Sequence, residues 1–415
     1  MNIKHSNRLR LESGLWFLIL LIALIPALFR DIERFGDSSD YVMMGSSMAY
    51  DADLLYSEKD LLRIQQMKPC GTDFPAGMFL IRDDTNRLLI GGHSFYYSLF
   101  AAPFFRVLGI RGFQVFNSLL WLLFIILIFV RFHPGVGMMR YGLLLAGMLF
   151  SATYDYIIWQ TPATWLLVMS GLYLHFYETR RWIGAGVFLG MAGASQYPLY
   201  FWVIIPCVDI IRRRLEIADM LTILVAMVVV SAPQVLFFRL ATGTWHVTWL
   251  DLSTSSRYLY YPFHFPGEDL FDRARHAIVF ARFARVAHFN PLDLLKSVAS
   301  PKFGLLWFYP FTIFAMVRMI RERSSIAPVI AAIVILSAFC TAGRLETHQV
   351  GLRYLNPIYP VFVLGFRRIR FDRLEKLILI IVLISGLSFA LFPGANSKEN
   401  HTDKMTIPAI VERLL

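Results

Sequence analysis

The sequence predicts an all-α polytopic membrane protein, and three observations carry that prediction. Hydrophobic residues fill 57% of its 415 positions, aromatics 15% and charged residues only 17%, with a mean hydropathy of +0.55, well beyond the apolar share of a soluble domain. The apolar residues form about eleven runs, each near the length that crosses a ~30 Å hydrocarbon core. Arg and Lys cluster in every second connection between those runs, as cytoplasmic loops do.

The first run, 14–30, has the look of a signal-peptide core, but Arg30, Asp31 and Glu33 follow it in place of a small-residue cleavage site, so it reads as a retained helix. The others cover 113–131, 140–158, 162–178, 182–196, 198–211, 217–238, 303–319, 326–342, 352–366 and 376–392. Around Ser195-Gln196-Tyr197-Pro198 two readings stand, a tight turn between short spans or a kink in one long span. Basic clusters at Lys4/Arg8/Arg10, Arg131/Arg140, Arg180/Arg181, Arg212/Arg213/Arg214, Arg318/Arg321/Arg323 and Arg367/Arg368/Arg370/Arg373/Lys376 mark one side. The connections 158–162 and 196–197 carry none, which predicts an inside N-terminus and an outside tail from Pro393 onward. The chain thus divides into segments 1–30, 31–112, 113–238, 239–302, 303–392 and 393–415, with 31–112 and 239–302 as two large extracytoplasmic loops of a plasma or bacterial inner membrane protein.

The first outer loop is acidic up to Arg87, and it carries structure: Asp40 to Tyr50 and Ser57 to Met67 read as helices, and Met78 to Ile90 as a hairpin turning at Asp83-Asp84-Thr85-Asn86. Phe95 to Leu108, apolar and aromatic around Pro103, suits the plane of the membrane interface. The second loop interleaves Arg257, Arg273, Arg275, Arg282, Arg285 and Lys296 with Trp245, Trp249, Tyr258, Tyr260, Tyr261, Phe263, Phe265 and Phe271. Arginine forks suit phosphate oxygens and aromatic faces suit sugars or the headgroup belt, while 272–289 also reads as an amphipathic helix resting on anionic headgroups.

The net charge of +11 would fit nucleic acid, but its placement in alternate connections argues for membrane topology and no nucleic-acid partner. Among Cys70, Cys207 and Cys340 only a Cys70–Cys340 disulfide is conceivable, and no Cys or His pair has zinc-ligand spacing. Asp51-Ala52-Asp53 has the spacing of a metal-binding pair but reads as solvated surface in so acidic a loop. No cofactor is called for; a divalent metal is compatible with the sequence but unsupported by it.

Asp37, just past the first run, is either a base held at the membrane surface or the N-cap of the helix that follows. Arg353, at the outer mouth of the tenth run, is either a phosphate ligand or an arginine snorkelling to headgroups. His348 and Gln349 precede it and can contribute to a polar pocket, and Arg239, Arg257 and Lys302 are the alternative phosphate ligands.

Five short segments, in this order, resemble a known family: Gly36-Asp37 with an aromatic-bearing helix after it; Gly92-His93 leading to Leu99-Phe100-Ala101-Ala102-Pro103-Phe104; Ser231-Ala232-Pro233-Gln234 before Gly243; Gly304 to Pro310; and Gly351-Leu352-Arg353-Tyr354-Leu355-Asn356-Pro357. Over about residues 30 to 365 the chain resembles the GT-C superfamily of membrane glycosyltransferases, in the branch of protein O-mannosyltransferases and lipid A aminoarabinose transferases. The resemblance implies a polyprenyl-phosphate-linked sugar as donor, an extracytoplasmic acceptor, and inversion at the anomeric carbon. Asp37 would then take the acceptor proton, while Arg353, with His348 or a second-loop cation such as Arg257, would hold the departing phosphate. The chain departs from the family at Ser38, where many members carry an acid; Asp40, the next acid, is a catalytic candidate beside Asp37, and Asp155 is either the second catalytic carboxylate or an interfacial anchor. Two other readings fit the spans and basic loops: a transporter or flippase of lipid-linked glycans, which predicts ionisable residues inside spans and internal repeats, and an O-antigen-type polymerase or ligase, which would rest on second-loop groups such as His288. The sugar and the acceptor are not legible.

Overall fold

The computed structural model describes residues 38–67, 78–132, 151–247, 255–261, 278–279, 291–300, 304–322, 326–341, 354–364 and 372–391, with Leu21, Leu24, Ile25, Phe29 and Leu252 as single positions. Most of the first run and the tail beyond Leu391 lie outside the described residues.

Within segment 31–112 the described residues form the two expected helices and the expected hairpin. Helices α1 (Ser38–Tyr50) and α2 (Glu58–Gln66) are followed by strands β1 (Met78–Arg82) and β2 (Leu88–Ile90), which pair antiparallel as a hairpin. Ser57 caps α2: its amide donates to Asp60 Oδ2 at 3.1 Å, the reciprocal half of a capping box. Asp83 closes the hairpin turn by accepting from the Thr85 and Arg87 amides at 2.9 and 2.8 Å. Helix α3 (Tyr96–Leu108) contains Pro103 and buries Tyr96, Tyr97, Ala101 and Phe105, while Leu99, Phe100, Val107 and Leu108 are exposed. That two-faced pattern suits a helix lying along a membrane interface.

The helical body follows: α4 (Arg111–Phe132), α5 (Ala152–Asp155), α6 (Ala163–Glu178), α7 (Trp182–Ser195), α8 (Ile204–Ile211) and α9 (Ile217–Thr242). Of the described helices, α4 over Arg111–Ile128 and α9 over its full 26 residues are long and apolar enough to cross a bilayer. The other expected spans coincide with shorter helices or fall outside the described residues. Between α7 and α8 the chain forms a turn: Gln196 is extended, and a 3₁₀ segment, Tyr197–Val203, carries Pro198 in its first turn. Gly186 and Gly190 of α7 face α9 so closely that a Cβ would meet the Ile223 and Met227 carbonyl oxygens at 2.3 and 2.7 Å, the small-residue contact by which membrane helices approach.

The all-α expectation needs correction in segment 239–302. Strand β3 (Tyr258–Tyr261) pairs with the free edge of β1, and β4 (Ile278–Val279) pairs with β3, giving an antiparallel sheet ordered β2-β1-β3-β4. An amphipathic helix over 272–289 therefore fails at Ile278–Val279. A β1 edge left open would expose backbone donors and acceptors, and the aromatic and β-branched residues of β3 and β4 suit pairing there. The consequence is that segments 31–112 and 239–302 share one sheet.

The chain continues as α10 (Pro291–Ala299), α11 (Leu305–Phe308), α12 (Phe311–Glu322), α13 (Ile326–Thr341), a 3₁₀ turn at Asn356–Ile358, α14 (Tyr359–Leu364) and α15 (Arg373–Leu391). Arg318 Nη1 of α12 and Glu375 Oε1 of α15 form a buried ion pair at 2.9 Å that joins those two helix ends.

Candidate active site

Helix α1 is buried from Ser38 to Ser47, so its polar first turn requires internal partners. Asp40 is wholly buried. Its Oδ1 accepts the Phe79 amide of β1 at 2.8 Å, and its Oδ2 lies 2.6 Å from Nδ1 of the buried His93, 53 positions away in sequence. With the carboxylate ionised, Nδ1 carries the proton, which fixes both the tautomer and the ring plane of His93. An acid in the first turn of a helix is also favoured by the helix dipole.

The Gly91-Gly92-His93 turn is built around this contact. A Cβ on Gly92 would lie 2.2 Å from Phe79 Cβ, so only glycine permits β1 to pass at that distance. Phe79 stacks on Tyr258 of β3, with centroids 5.3 Å apart and planes 20° apart, and the Tyr258 hydroxyl donates to the Gly92 carbonyl at 3.2 Å. Beyond the turn, the Phe95 amide donates to Gln234 Oε1 of α9 at 3.1 Å, and the Tyr96 hydroxyl donates to the Val230 carbonyl, one turn before Pro233. Three segments distant in sequence, at Asp40, Gly92-His93 and Ser231 to Gln234, thus meet in one place.

A second set of buried bonds links the remaining motifs. Asn117 of α4 accepts from the Tyr97 hydroxyl at 3.1 Å and donates to the Trp159 carbonyl at 2.6 Å. Asn356 donates to the Ala163 carbonyl at 2.9 Å and accepts from the Tyr309 hydroxyl at 3.1 Å, so the segments Gly304 to Pro310 and Gly351 to Pro357 are joined directly.

Of the residues singled out from sequence, Asp37, His348 and Arg353 lie outside the described residues; Asp37 precedes Ser38 of α1 and Arg353 precedes the buried Tyr354. Asp155 ends α5, and its side chain is outside the description. Asp40 is held between Phe79 and His93, and Arg257 pairs with Asp84. Asp51 and Asp53 are not the solvated surface expected of them. Asp51 pairs with Lys59 and Arg63 at 2.9 and 2.8 Å, and Asp53 accepts the Ser47 hydroxyl at 2.8 Å, around Ala52 at φ 56°. Burial pushes the Asp51 carboxyl up, but Lys59 and Arg63 outweigh it and hold the group below its usual range; in neighbouring Asp60 burial prevails and the carboxyl is raised. Among the described residues no group of three or more His, Cys, Asp or Glu is placed to hold a metal ion. Cys207 is a free thiol, and the Cys70–Cys340 pairing lies outside the described side chains.

His93 is the residue that sequence reasoning passed over as a site. The available signals were a histidine directly after a glycine pair and an acid near the start of a helix, but nothing local links them.

No protein-family model and no curated protein matches the chain. Among solved structures, it is similar to the apo oligosaccharyltransferase of Archaeoglobus fulgidus, at 11% identity and a TM-score of 0.46, over 92% of this chain and 55% of that one. The chain spans little more than half the length of that structure, and at this score and identity the likeness assigns neither a family nor an activity.

Proposed function

We propose that the protein is an integral-membrane inverting glycosyltransferase that moves a sugar from a polyprenyl-phosphate donor to an acceptor on the outer face. The observation that carries the reading is the buried Asp40–His93 pair at the start of α1, three residues beyond Asp37. A carboxylate fixed at both oxygens is a positioning device: it holds the α1 N-terminus against β1 and the Gly-Gly-His turn, and with it the backbone next to Asp37. Asp37 then takes the proton of the acceptor hydroxyl as the anomeric carbon develops oxocarbenium character. Arg353, with His348, receives the charge that develops on the departing phosphate, and the Tyr309–Asn356–Ala163 bonds support that segment from the helical body. Arg257 is not assigned this role: it pairs with Asp84 beside Gly243, at the end of α9.

The transporter reading is less well supported: the buried Arg318–Glu375 pair joins two helix ends rather than lining a path through the spans. Mass spectrometry of envelope glycans tests the proposal. A strain lacking the protein should lose one sugar from a defined glycan, wild-type complementation should restore it, and Asp37→Asn should not. Unchanged glycans in the deletion strain would refute the reading.

A further inference from the structure

We infer that the outer end of α9 holds a second lipid site, for an anionic phospholipid of the surrounding bilayer, independent of the transferase reading. A groove of about 510 Å³ runs along this helix, lined by Tyr200, Val228, Ala232, Val235, Trp245 and Val247. That volume is within the usual range of ligand pockets, and apolar walls on an outward-facing span suit a lipid chain. The spanning window of α9 is only 22% buried, with Val225, Val228, Val229 and Leu236 exposed.

At the top of the groove the chemistry changes sign. Arg239 Cζ lies 5.7 Å from the centroid of the Trp245 ring. Gly243 ends the helix at φ 75°, its amide donating to the Arg239 carbonyl at 3.0 Å, a left-handed cap that glycine adopts without strain. The position a Cβ on Gly243 would occupy is 3.8 Å from Arg239 Nη1, 3.9 Å from Arg257 Nη1 and 3.8 Å from Asp84 Oδ2. Two guanidiniums and one carboxylate thus gather around Gly243, and the carboxylate pairs with Arg257, so the group carries an excess positive charge; Arg257 Nη1 is buried and unbonded among the described residues. A phosphodiester supplies one negative charge and oxygens that arginine forks grip well.

The helix itself separates this site from the Asp40–His93 pair. At 3.6 residues per turn, Val228, Ala232, Val235 and Arg239 share one face of α9. Gln234 and Phe237 lie on the other, where Gln234 binds the Phe95 amide and Phe237 packs against Gly91. A lipid held by Arg239 and Arg257 also braces the outer sheet, because the Arg257 carbonyl accepts the Arg82 amide of β1 at 2.9 Å.

Native mass spectrometry of the purified full-length protein, titrated with phosphatidylglycerol or with phosphatidylcholine, tests the site. One phosphatidylglycerol should be retained in preference to phosphatidylcholine. Arg239→Gln and Arg257→Gln should each weaken that retention by roughly ten- to a hundredfold, as for a lost charge-assisted hydrogen bond, whereas Arg212→Gln at the far end of α8 should not. Ala232→Trp, which fills the groove, should weaken it without touching either arginine, and an unchanged melting temperature in detergent would show that each variant is folded. Equal binding of the two lipids, or Arg239→Gln behaving like Arg212→Gln, would overturn the inference. Displacement of phosphatidylglycerol by a polyprenyl phosphate at equal strength would also overturn it, by assigning the groove to the donor. Asp37→Asn should bind phosphatidylglycerol normally, so failure of this inference and failure of the transferase reading are distinguishable.

Discussion

Replacing Asp40 tests whether the buried pair positions the site. In Asp40→Ala, at least two buried donors lose their acceptor, the Phe79 amide and His93 Nδ1, at 2.8 and 2.6 Å in the wild type. An unsatisfied buried donor costs about 1–3 kcal/mol, so the variant should lose roughly 2–6 kcal/mol of stability, a large fraction of the margin of most proteins. Asp40→Asn differs in kind. Its carbonyl oxygen still accepts the Phe79 amide, and the histidine can move its proton to the other nitrogen and accept from the new amide. The exchange of a charge-assisted hydrogen bond for a neutral one should cost about 1 kcal/mol. Unfolding in mixed micelles, followed by tryptophan fluorescence, should therefore rank wild type above Asp40→Asn and Asp40→Asn well above Asp40→Ala. Asp40→Ala unfolding with the wild type, or Asp40→Asn failing as badly as Asp40→Ala, would refute the positioning role.

Three other outcomes follow from the same geometry. Gly92→Ala should lower stability by at least the 1–3 kcal/mol typical of overpacking, since its Cβ would meet the Phe79 Cβ at 2.2 Å; a melt equal to wild type would contradict the close approach of β1. Arg353→Lys should raise the apparent donor constant roughly ten- to a hundredfold while Arg273→Lys is tolerated, because only the guanidinium fork grips a phosphate; equal effects would return Arg353 to the role of interfacial anchor. At Asp83, burial pushes the carboxyl up, but the Thr85 hydroxyl, the Arg87 and Thr85 amides and the Arg87 guanidinium outweigh it and hold the group at about 2. A folded-state value below the unfolded 3.8 makes this contribution fully present above about pH 4 and lost as the pH falls through 2, so Asp83→Asn should flatten the acid side of the stability profile in that window, and an unchanged profile would contradict it.

The local parts of the fold were legible because their determinants are local. The Ser57-to-Asp60 cap, the Asp83 turn and the two-sided Phe95 to Leu108 helix are each specified by residues within a few positions of one another. The β1–β3 pairing was not, because it joins residues about 180 positions apart, and Arg-rich, aromatic sequence fits an interfacial helix as well as a strand. The same limit governed the site. The structural role of Asp40 is hidden in the sequence because its partner, His93, arrives from a separate turn, and Asp51 reads as solvated because Lys59 and Arg63 return to it only once α2 has formed. Asn356, in contrast, lay in a segment already singled out, yet its role as the link between Tyr309 and Ala163 depends on two further parts of the chain.

The measurement that bears most directly on the central claim is release of polyprenyl phosphate from a synthetic polyprenyl-phosphate sugar by reconstituted wild-type and Asp37→Asn protein, prepared side by side and matched for melting temperature. Loss of a general base lowers such a rate by roughly 10²- to 10⁴-fold, so the wild type should turn over and the variant should show a drop of that size. Equal turnover by the two proteins, or transfer by the wild type from a nucleotide sugar but from no polyprenyl-phosphate sugar, would contradict it.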